Sequence, residues 1–222
     1  MDLEGDDLPV TARRVAREAG TAERILDVAE RLVQLRGFNG FSYADVAAEL
    51  GVTKASLHYH FPGKAELGEA LINRYAGRFG EALQTIDLDG GDVHARLEAY
   101  AALYASVLRE QRMCLCGMLA ADYETLPPAM RGAVVRFFDD NEAWLERLLE
   151  QGQAEGSLRY PGRARDQAQL IIGALEGAML VARPYGDPER FQAAAHRLLA
   201  TLDMADVNGG DAKLRAASSP GA

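Results

Sequence analysis

The residues best suited to chemistry lie between positions 42 and 64, where hydroxyl, imidazole, phenol and ammonium groups are closely spaced. Such groups donate hydrogen bonds to phosphates and can reach base edges in the major groove of DNA. We expect Lys54, Tyr59 and Lys64 to reach phosphates. The small residues Ala55 and Ser56 would then lie against the groove. The candidate DNA-binding residues are Ser42, Thr53, Lys54, Ala55, Ser56, His58, Tyr59, His60 and Lys64.

Two short helices would position these residues. Ser42 stands three residues before Asp45 and approximates a capping box at the start of the first helix. Gly51 supplies the turn, and Thr53 is the predicted N-cap of a second helix that begins at about Lys54. Only three or four residues separate the two helices, which is the spacing of a helix-turn-helix.

Metal binding and catalysis explain the same residues less well. His58 and His60 diverge on a helix, and no acid or cysteine stands at ligand spacing. No nucleophile has a histidine and an acid at a recognisable spacing, and no glycine-rich phosphate loop is present. The sequence therefore predicts no metal, no cofactor and no catalytic residue. A helical enzyme or a helical adaptor that binds only protein remains an alternative.

Charge is distributed unevenly along the chain, whose net charge is −9. Residues 1–10 carry four acids and no bases, residues 11–80 carry ten bases and eight acids, and residues 81–222 carry fourteen bases and twenty-one acids. A mildly basic segment on an acidic body is compatible with local docking on DNA. The imbalance is small, so it supports the motif and does not replace it.

Hydrophobic periodicity predicts an all-α protein of about nine helices. An N-terminal three-helix domain with a helix-turn-helix would precede a larger helical domain for ligand binding and dimerisation. The predicted segments are a disordered N-terminal arm over 1–17, the DNA-binding domain over 18–80, the effector and dimerisation domain over 81–205, and a disordered tail over 206–222.

The sequence also indicates where the protein is located and whether its two cysteines form a disulfide. No apolar run reaches the ~18 residues of a membrane span, and the first residues are acidic where a secretory signal would be basic. We therefore expect a cytoplasmic protein without a membrane partner. Cys114 and Cys116 are two residues apart and would point in different directions on a helix, so no disulfide between them is predicted.

The run VTKASLHYHFPGKAEL resembles the signature of the TetR/AcrR family of transcriptional regulators. The similarity covers residues 21–71 closely and the remainder only in helix count and length. His58 stands where the family often has tyrosine, and Gly63 stands where serine or asparagine usually caps the fourth helix. The first difference could alter the choice of operator. The second should weaken the cap by only a few tenths of a kcal/mol.

The resemblance implies a ligand-responsive regulator, most simply a repressor that a small molecule releases from its DNA operator. It implies a homodimer on a palindromic double-stranded site, because one recognition helix contacts few bases. The fourth helix, from about Lys64 to near Gly80, would touch both halves and transmit the signal. An alternative of the same fold is a repressor that senses electrophiles or oxidants through a cysteine.

The resemblance also implies an effector cavity among helices that start near Val93 and end near Gln153. Aromatic, cysteine and methionine side chains there would suit an apolar ligand as a group, although for each residue taken singly ordinary core packing is the favoured explanation. The candidate pocket residues are Tyr104, Cys114, Cys116, Met118, Tyr123, Phe137, Phe138 and Trp144.

A cysteine sensor would need a thiolate, and Arg109 or Arg112 could lower a cysteine pKa if either side chain folded toward it. The alternative is a buried, inert thiol.

Two C-terminal helices carry faces suited to dimerisation. Gly173 and Gly177 form a strip of small residues that would let another helix approach, and the next helix has one apolar face. One of the two faces must also serve the intrachain core. The candidate interface residues are Leu170, Gly173, Ala174, Gly177, Phe191, Ala195, Leu198 and Leu202.

Overall fold

The computed structural model describes residues 10–203, with side chains from Gly20 onward. Within that range the chain forms nine α-helices, three short 3-10 turns and no strand, which confirms the all-α prediction. No helix in this part of the chain is long and apolar enough to cross a membrane. The helices are α1 Val10–Arg36, α2 Tyr43–Leu50, α3 Lys54–His60, α4 Lys64–Asp89, α5 Val93–Arg109, α6 Leu115–Ala121, α7 Pro128–Glu155, α8 Ala164–Ala182 and α9 Pro188–Ala200.

The N-terminal boundary differs from the prediction. The disordered arm was predicted over 1–17, but α1 begins at Val10, so the prediction is wrong for residues 10–17. This stretch is rich in alanine and arginine, which favour helix even without an apolar stripe. Residues 1–9 and the predicted tail over 206–222 lie outside the described residues.

The chain divides into two compact units that do not follow the predicted boundary at 80/81. Within the described residues, unit 1 comprises residues 10–77 and 115–135, and unit 2 comprises residues 78–114 and 136–203. Residues 115–135 pack in unit 1, whereas the sequence analysis grouped them with the effector and dimerisation domain. Glycine and proline breakers mark where helices end, but they do not show with which part of the chain a later helix packs.

Unit 1 is built on the buried face of α1. Ile25, Ala29 and Val33 recur three or four residues apart and are fully buried. α1 packs against α2 and against the returning helix α6. The resulting core supports Leu57 of α3, which is also fully buried.

A polar clamp attaches the returning segment to the turn after α1. The Phe38 N–H donates to Asp122 Oδ2 at 2.7 Å, and Asn39 Nδ2 donates to Thr125 Oγ1 at 2.7 Å. Gly37 has φ +78°, and a Cβ there would lie 2.8 Å from Asp122 Oδ2. Glycine thus permits both the left-handed turn and the close approach of the carboxylate.

Unit 2 contains α5, α8 and α9 packed against one another. Phe191, Ala195 and Leu202 are buried in this packing. The Arg159 N–H donates to the Leu202 carbonyl at 2.6 Å and fixes the end of the described chain.

Candidate nucleic-acid interface and effector core

The ends of α2 and α3 are capped as the sequence predicts. The Ser42 N–H donates to Asp45 Oδ2 at 2.7 Å, and Ser42 Oγ accepts from the Asp45 N–H, which completes the capping box. Hydrogen bonds from Ser42 lower the pKa of Asp45. Gly51 ends α2 at φ +67°, and Thr53 Oγ1 accepts from the Ser56 N–H at 3.3 Å. These local bonds fix the angle at which α3 leaves the turn.

α3 presents one face to solvent. Leu57 anchors the helix in the core, whereas Lys54, Ala55, His58 and Tyr59 are exposed. The Tyr59 side chain is 69 % exposed, which is unusual for a large aromatic residue without a partner surface. This face combines a cation, a small residue and hydrogen-bonding rings, and it can meet a DNA groove and its phosphates. Of the other candidate residues, Ser42 and Thr53 are exposed caps, and Ser56 and His60 are half-buried.

Tyr43, which the sequence analysis missed, holds the segment that follows α3. Its hydroxyl lies 2.8 Å from the Phe61 carbonyl and 2.7 Å from the Gly63 carbonyl, and burial raises its pKa to about 12. The His58 ring lies 4.7 Å from the Tyr43 ring, with Nδ1 3.0 Å from the Pro62 carbonyl oxygen. His58 therefore has a structural contact even though it is exposed.

Lys64 does not occupy the predicted position. Its ammonium donates to the Phe38 and Phe41 carbonyls at 2.5 and 2.6 Å and lies 4.6 and 4.3 Å from the centroids of the same two rings. Burial lowers its pKa. The side chain links the start of α4 to the turn between α1 and α2. Its ammonium thus contacts the protein where a phosphate contact was predicted. Sequence could not reveal this because the partners are backbone carbonyls.

Other bases of unit 1 are also engaged within the protein. Arg74 forms ion pairs with Glu23, Asp27 and Glu30 at 2.8–3.0 Å. The small positive balance of residues 11–80 therefore does not all belong to the DNA-facing surface. On α3 itself the exposed ammonium is that of Lys54.

The predicted pocket residues are divided between the two units. Cys116, Met118 and Tyr123 belong to unit 1, where the Arg131 guanidinium lies 5.4 Å from the Tyr123 ring centroid. The remaining five belong to unit 2: Tyr104, Cys114, Phe137, Phe138 and Trp144. The structure thus does not gather all eight into one unit.

The aromatic members of unit 2 form a packed cluster. The Phe79 ring meets Tyr100, Tyr104 and Phe137 edge-on, with centroids 5.3–6.1 Å apart. The Tyr100 ring stacks on Trp144 at 5.5 Å with an interplanar angle of 16°. Offset stacking and edge-to-face contacts are the preferred geometries of aromatic pairs. Phe79 and Tyr100 are central to the cluster and were missed, although Tyr100 and Tyr104 stand at helical i, i+4 spacing.

A chain of buried polar groups runs through this cluster. The hydroxyls of Tyr100 and Tyr104 lie 3.1 Å apart, and Tyr100 also donates to Asn141 Oδ1 at 3.3 Å. Asn141 Nδ2 donates to the Phe137 carbonyl at 2.7 Å. Burial raises the pKa of both tyrosines, so both remain neutral. These hydrogen bonds hold the rings in place and put polar groups inside the aromatic cluster.

A carboxyl group stands at one side of the same cluster. Burial raises the pKa of Glu176 on α8 to about 7, and a hydrogen bond with Cys114 partly opposes that shift. Oε1 of Glu176 is buried and has no hydrogen-bond partner. The sequence analysis missed this residue, although a lone acid in the apolar run LIIGALEGAMLVA was a usable signal. Among the described residues, no three histidine, cysteine or acidic side chains are placed to hold a metal ion.

A separate groove of about 460 Å³ lies between α5 and α9. Its floor includes Ala101, Ala105 and Phe191, and its rim includes His94 and Arg109. None of the predicted pocket residues lines it. Arg109 lines this groove, and Arg112 forms an ion pair with Glu110.

The predicted dimer residues separate into two groups. Leu170, Gly173 and Gly177 are exposed on α8, and the stripe continues through Leu180 and Val181. Ala174 and Leu198 are half-buried. The prediction is wrong for Phe191, Ala195 and Leu202, which are buried inside their own protomer. An apolar face at helical spacing shows that a helix packs but not against which chain.

Comparison with known proteins agrees with this architecture. Residues 25–71 match the model of bacterial regulatory proteins of the tetR family, and residues 93–198 match that of the tetracyclin repressor-like C-terminal domain. The HTH-type transcriptional repressor NemR of Escherichia coli is 28 % identical over 173 residues, which is 75 % of this chain and 85 % of that protein. A TetR family regulator from Agrobacterium tumefaciens is 31 % identical with a TM-score of 0.81, covering 84 % of this chain and 100 % of that one. A regulator from Legionella pneumophila is 32 % identical with a TM-score of 0.75, covering 82 % and 97 %.

Proposed function

The chain belongs to the TetR family of ligand-responsive, DNA-binding transcriptional regulators, and from this premise we propose that it is a homodimeric cytoplasmic repressor. It binds a palindromic operator through α3 and leaves it when a small molecule enters unit 2. The proposed activity is binding and not catalysis. The observation that carries the proposal is the exposed face of α3, with Tyr59 69 % exposed on a helix capped at its start.

The exposed stripe on α8 supports dimerisation. Leu170, Gly173, Gly177 and Leu180 follow helical i, i+3 and i+4 spacing on the solvent side. A Cβ at either glycine would meet nothing within 4 Å in its own chain, so a helix of a second copy can approach closely. A two-fold axis through this stripe gives an isologous interface and pairs two recognition helices.

The aromatic cluster of unit 2 supports an effector site in that unit. It combines apolar rings with a few buried polar groups, which is the usual composition of a small-molecule site. The boundary between the units falls inside α4 and inside α7, so both helices contribute residues to both units. We propose that α4 transmits the effector signal to unit 1.

Reversible ligand binding is favoured over the cysteine-sensor alternative. Cys114 and Cys116 are about 1 % and 0 % exposed, whereas reactive cysteines are partly accessible. The hydrogen-bonding partner of Cys114 is the carboxyl of Glu176, and a negative neighbour disfavours a thiolate. Replacing both cysteines by serine should leave effector release intact.

Binding to the DNA just upstream of the protein's own coding sequence tests the proposal. We expect Tyr59→Ala to weaken binding at least tenfold in fluorescence anisotropy, because we propose that the exposed ring contacts the phosphates. Tyr185→Ala is the matched control, since Tyr185 is 62 % exposed in unit 2. Equal affinity for both variants, or binding that ignores salt concentration, would contradict the proposal.

A further inference from the structure

One oxygen of the Glu176 carboxyl lacks a hydrogen-bond partner in the folded protein. This oxygen, Oε1, is buried. Buried polar atoms in native proteins are almost always paired, so each exception calls for an explanation. A buried polar atom without a partner costs its full desolvation penalty, so the carboxyl is retained at a cost to stability.

The surroundings of Glu176 limit what can pair with it. The Cys114 thiol forms a hydrogen bond with the carboxyl, and the charge of Glu176 contributes to the raised pKa of Tyr100 and Tyr104. The two phenols therefore lie near the carboxyl. Through them the site is continuous with the rings of Phe79 and Trp144. A group that pairs with Oε1 would thus bind next to residues that interact with the aromatic cluster.

We propose that Glu176 is the anchor for a small-molecule effector that carries a protonated amine, with the aromatic cluster holding the effector's apolar body. This inference rests on the effector site of the proposed function and names its ligand class. An ammonium N–H donates to the free oxygen and compensates the carboxylate charge, which a neutral donor does not. Aromatic rings also attract cations, which favours an amine over an alcohol of the same shape.

The proposed contact makes effector binding depend on pH. The amine needs an ionised Glu176, whose pKa in the free protein is about 7. The ionised fraction then rises from about one tenth at pH 6 to about nine tenths at pH 8, and affinity should rise about tenfold. Tyr100 and Tyr104 stay neutral because burial raises their pKa, and a Cys114→Ser variant removes the thiol as a second titrating group. A primary amine stays protonated throughout this range.

Isothermal titration calorimetry with 2-phenylethylamine and its neutral counterpart 2-phenylethanol tests the assignment. Wild type should bind the amine at least tenfold more tightly than the alcohol at pH 8. Glu176→Gln should lose this preference and the pH dependence, and Glu176→Asp should keep part of both. Glu150→Gln, which removes an exposed carboxylate of unit 2, should behave as wild type.

Three results would overturn the inference: no binding of the amine to wild type, equal binding of amine and alcohol, or an unchanged preference in Glu176→Gln. Operator binding is measured on the same samples by anisotropy. Retained operator binding alongside any of these results would reject only the role of Glu176. Loss of operator binding in wild type would instead reject the proposed function.

Discussion

The two units satisfy their buried polar groups in different ways. In unit 1 the polar groups that hold α3 are paired within the chain, by the caps Ser42 and Thr53 and by Tyr43 and Lys64 on backbone carbonyls. In unit 2 the hydroxyls of Tyr100 and Tyr104 and the amide of Asn141 are paired, but Oε1 of Glu176 is left without a partner. The helix proposed to contact DNA is therefore held in place without a ligand. In unit 2 a ligand can donate the hydrogen bond that Oε1 of Glu176 lacks.

The largest expected effect is on the pH dependence of stability. The folded-state pKa of Glu176 is raised from 4.5 to about 7, so the folded protein favours the neutral acid. The free energy of unfolding should therefore fall as pH rises from about 5 to about 8, by up to about 3 kcal/mol from this group. Urea denaturation of Glu176→Gln should show this decrease removed, most clearly at pH 8.

The matched control is Glu150→Gln, which should keep the wild-type pH dependence because its carboxylate is exposed. Identical slopes in the two variants would show that Glu176 does not carry a raised pKa, and the contrast between the units would then fail.

The second prediction separates two lysines of unit 1. Lys64→Met leaves the Phe38 and Phe41 carbonyls unpaired and should cost about 2–3 kcal/mol of stability, without changing the salt dependence of operator binding. Lys54→Met should do the opposite, since its side chain is exposed. It should lower the salt slope by about one phosphate contact and leave stability unchanged. The reverse pattern would restore Lys64 to the DNA surface.

The smallest expected effect is on assembly through unit 2. Gly173→Leu should weaken the dimer by about 1–3 kcal/mol, because a large side chain forces the paired helices apart. Sedimentation velocity should show dissociation at concentrations where wild type is dimeric. Gly77→Leu, at another open helical glycine, should not dissociate the dimer. A fully dimeric Gly173→Leu would move the interface away from the α8 stripe.

The helix-turn-helix was predictable because its signals are local. The cap at Ser42, the left-handed turn at Gly51 and the cap at Thr53 each act within a few residues, and the structure has all three. The helical class followed from periodicity alone. The α8 glycines were correctly expected on an open face for the same reason, since i, i+4 spacing defines one side of a helix.

The effector core was less predictable because its contacts are long-range. The break at Glu110–Cys114 contains no glycine or proline and places Gln111 at φ +60°, so no signal marked it. The return of α6 to α1 depends on packing that helix boundaries do not encode. Phe191 and Leu202 show the same limit, because an apolar face predicts burial without identifying its partner. The missing partner of Glu176 Oε1 is likewise visible only when its neighbours are known.

Hydrogen–deuterium exchange with and without operator DNA tests the division of labour between the units most directly. Residues 43–63 of unit 1 should gain protection in the complex, because α2, the turn and α3 form the DNA-facing element. The groove between α5 and α9 in unit 2 should show no direct protection. Protection of that groove with no change over residues 43–63 would contradict the account.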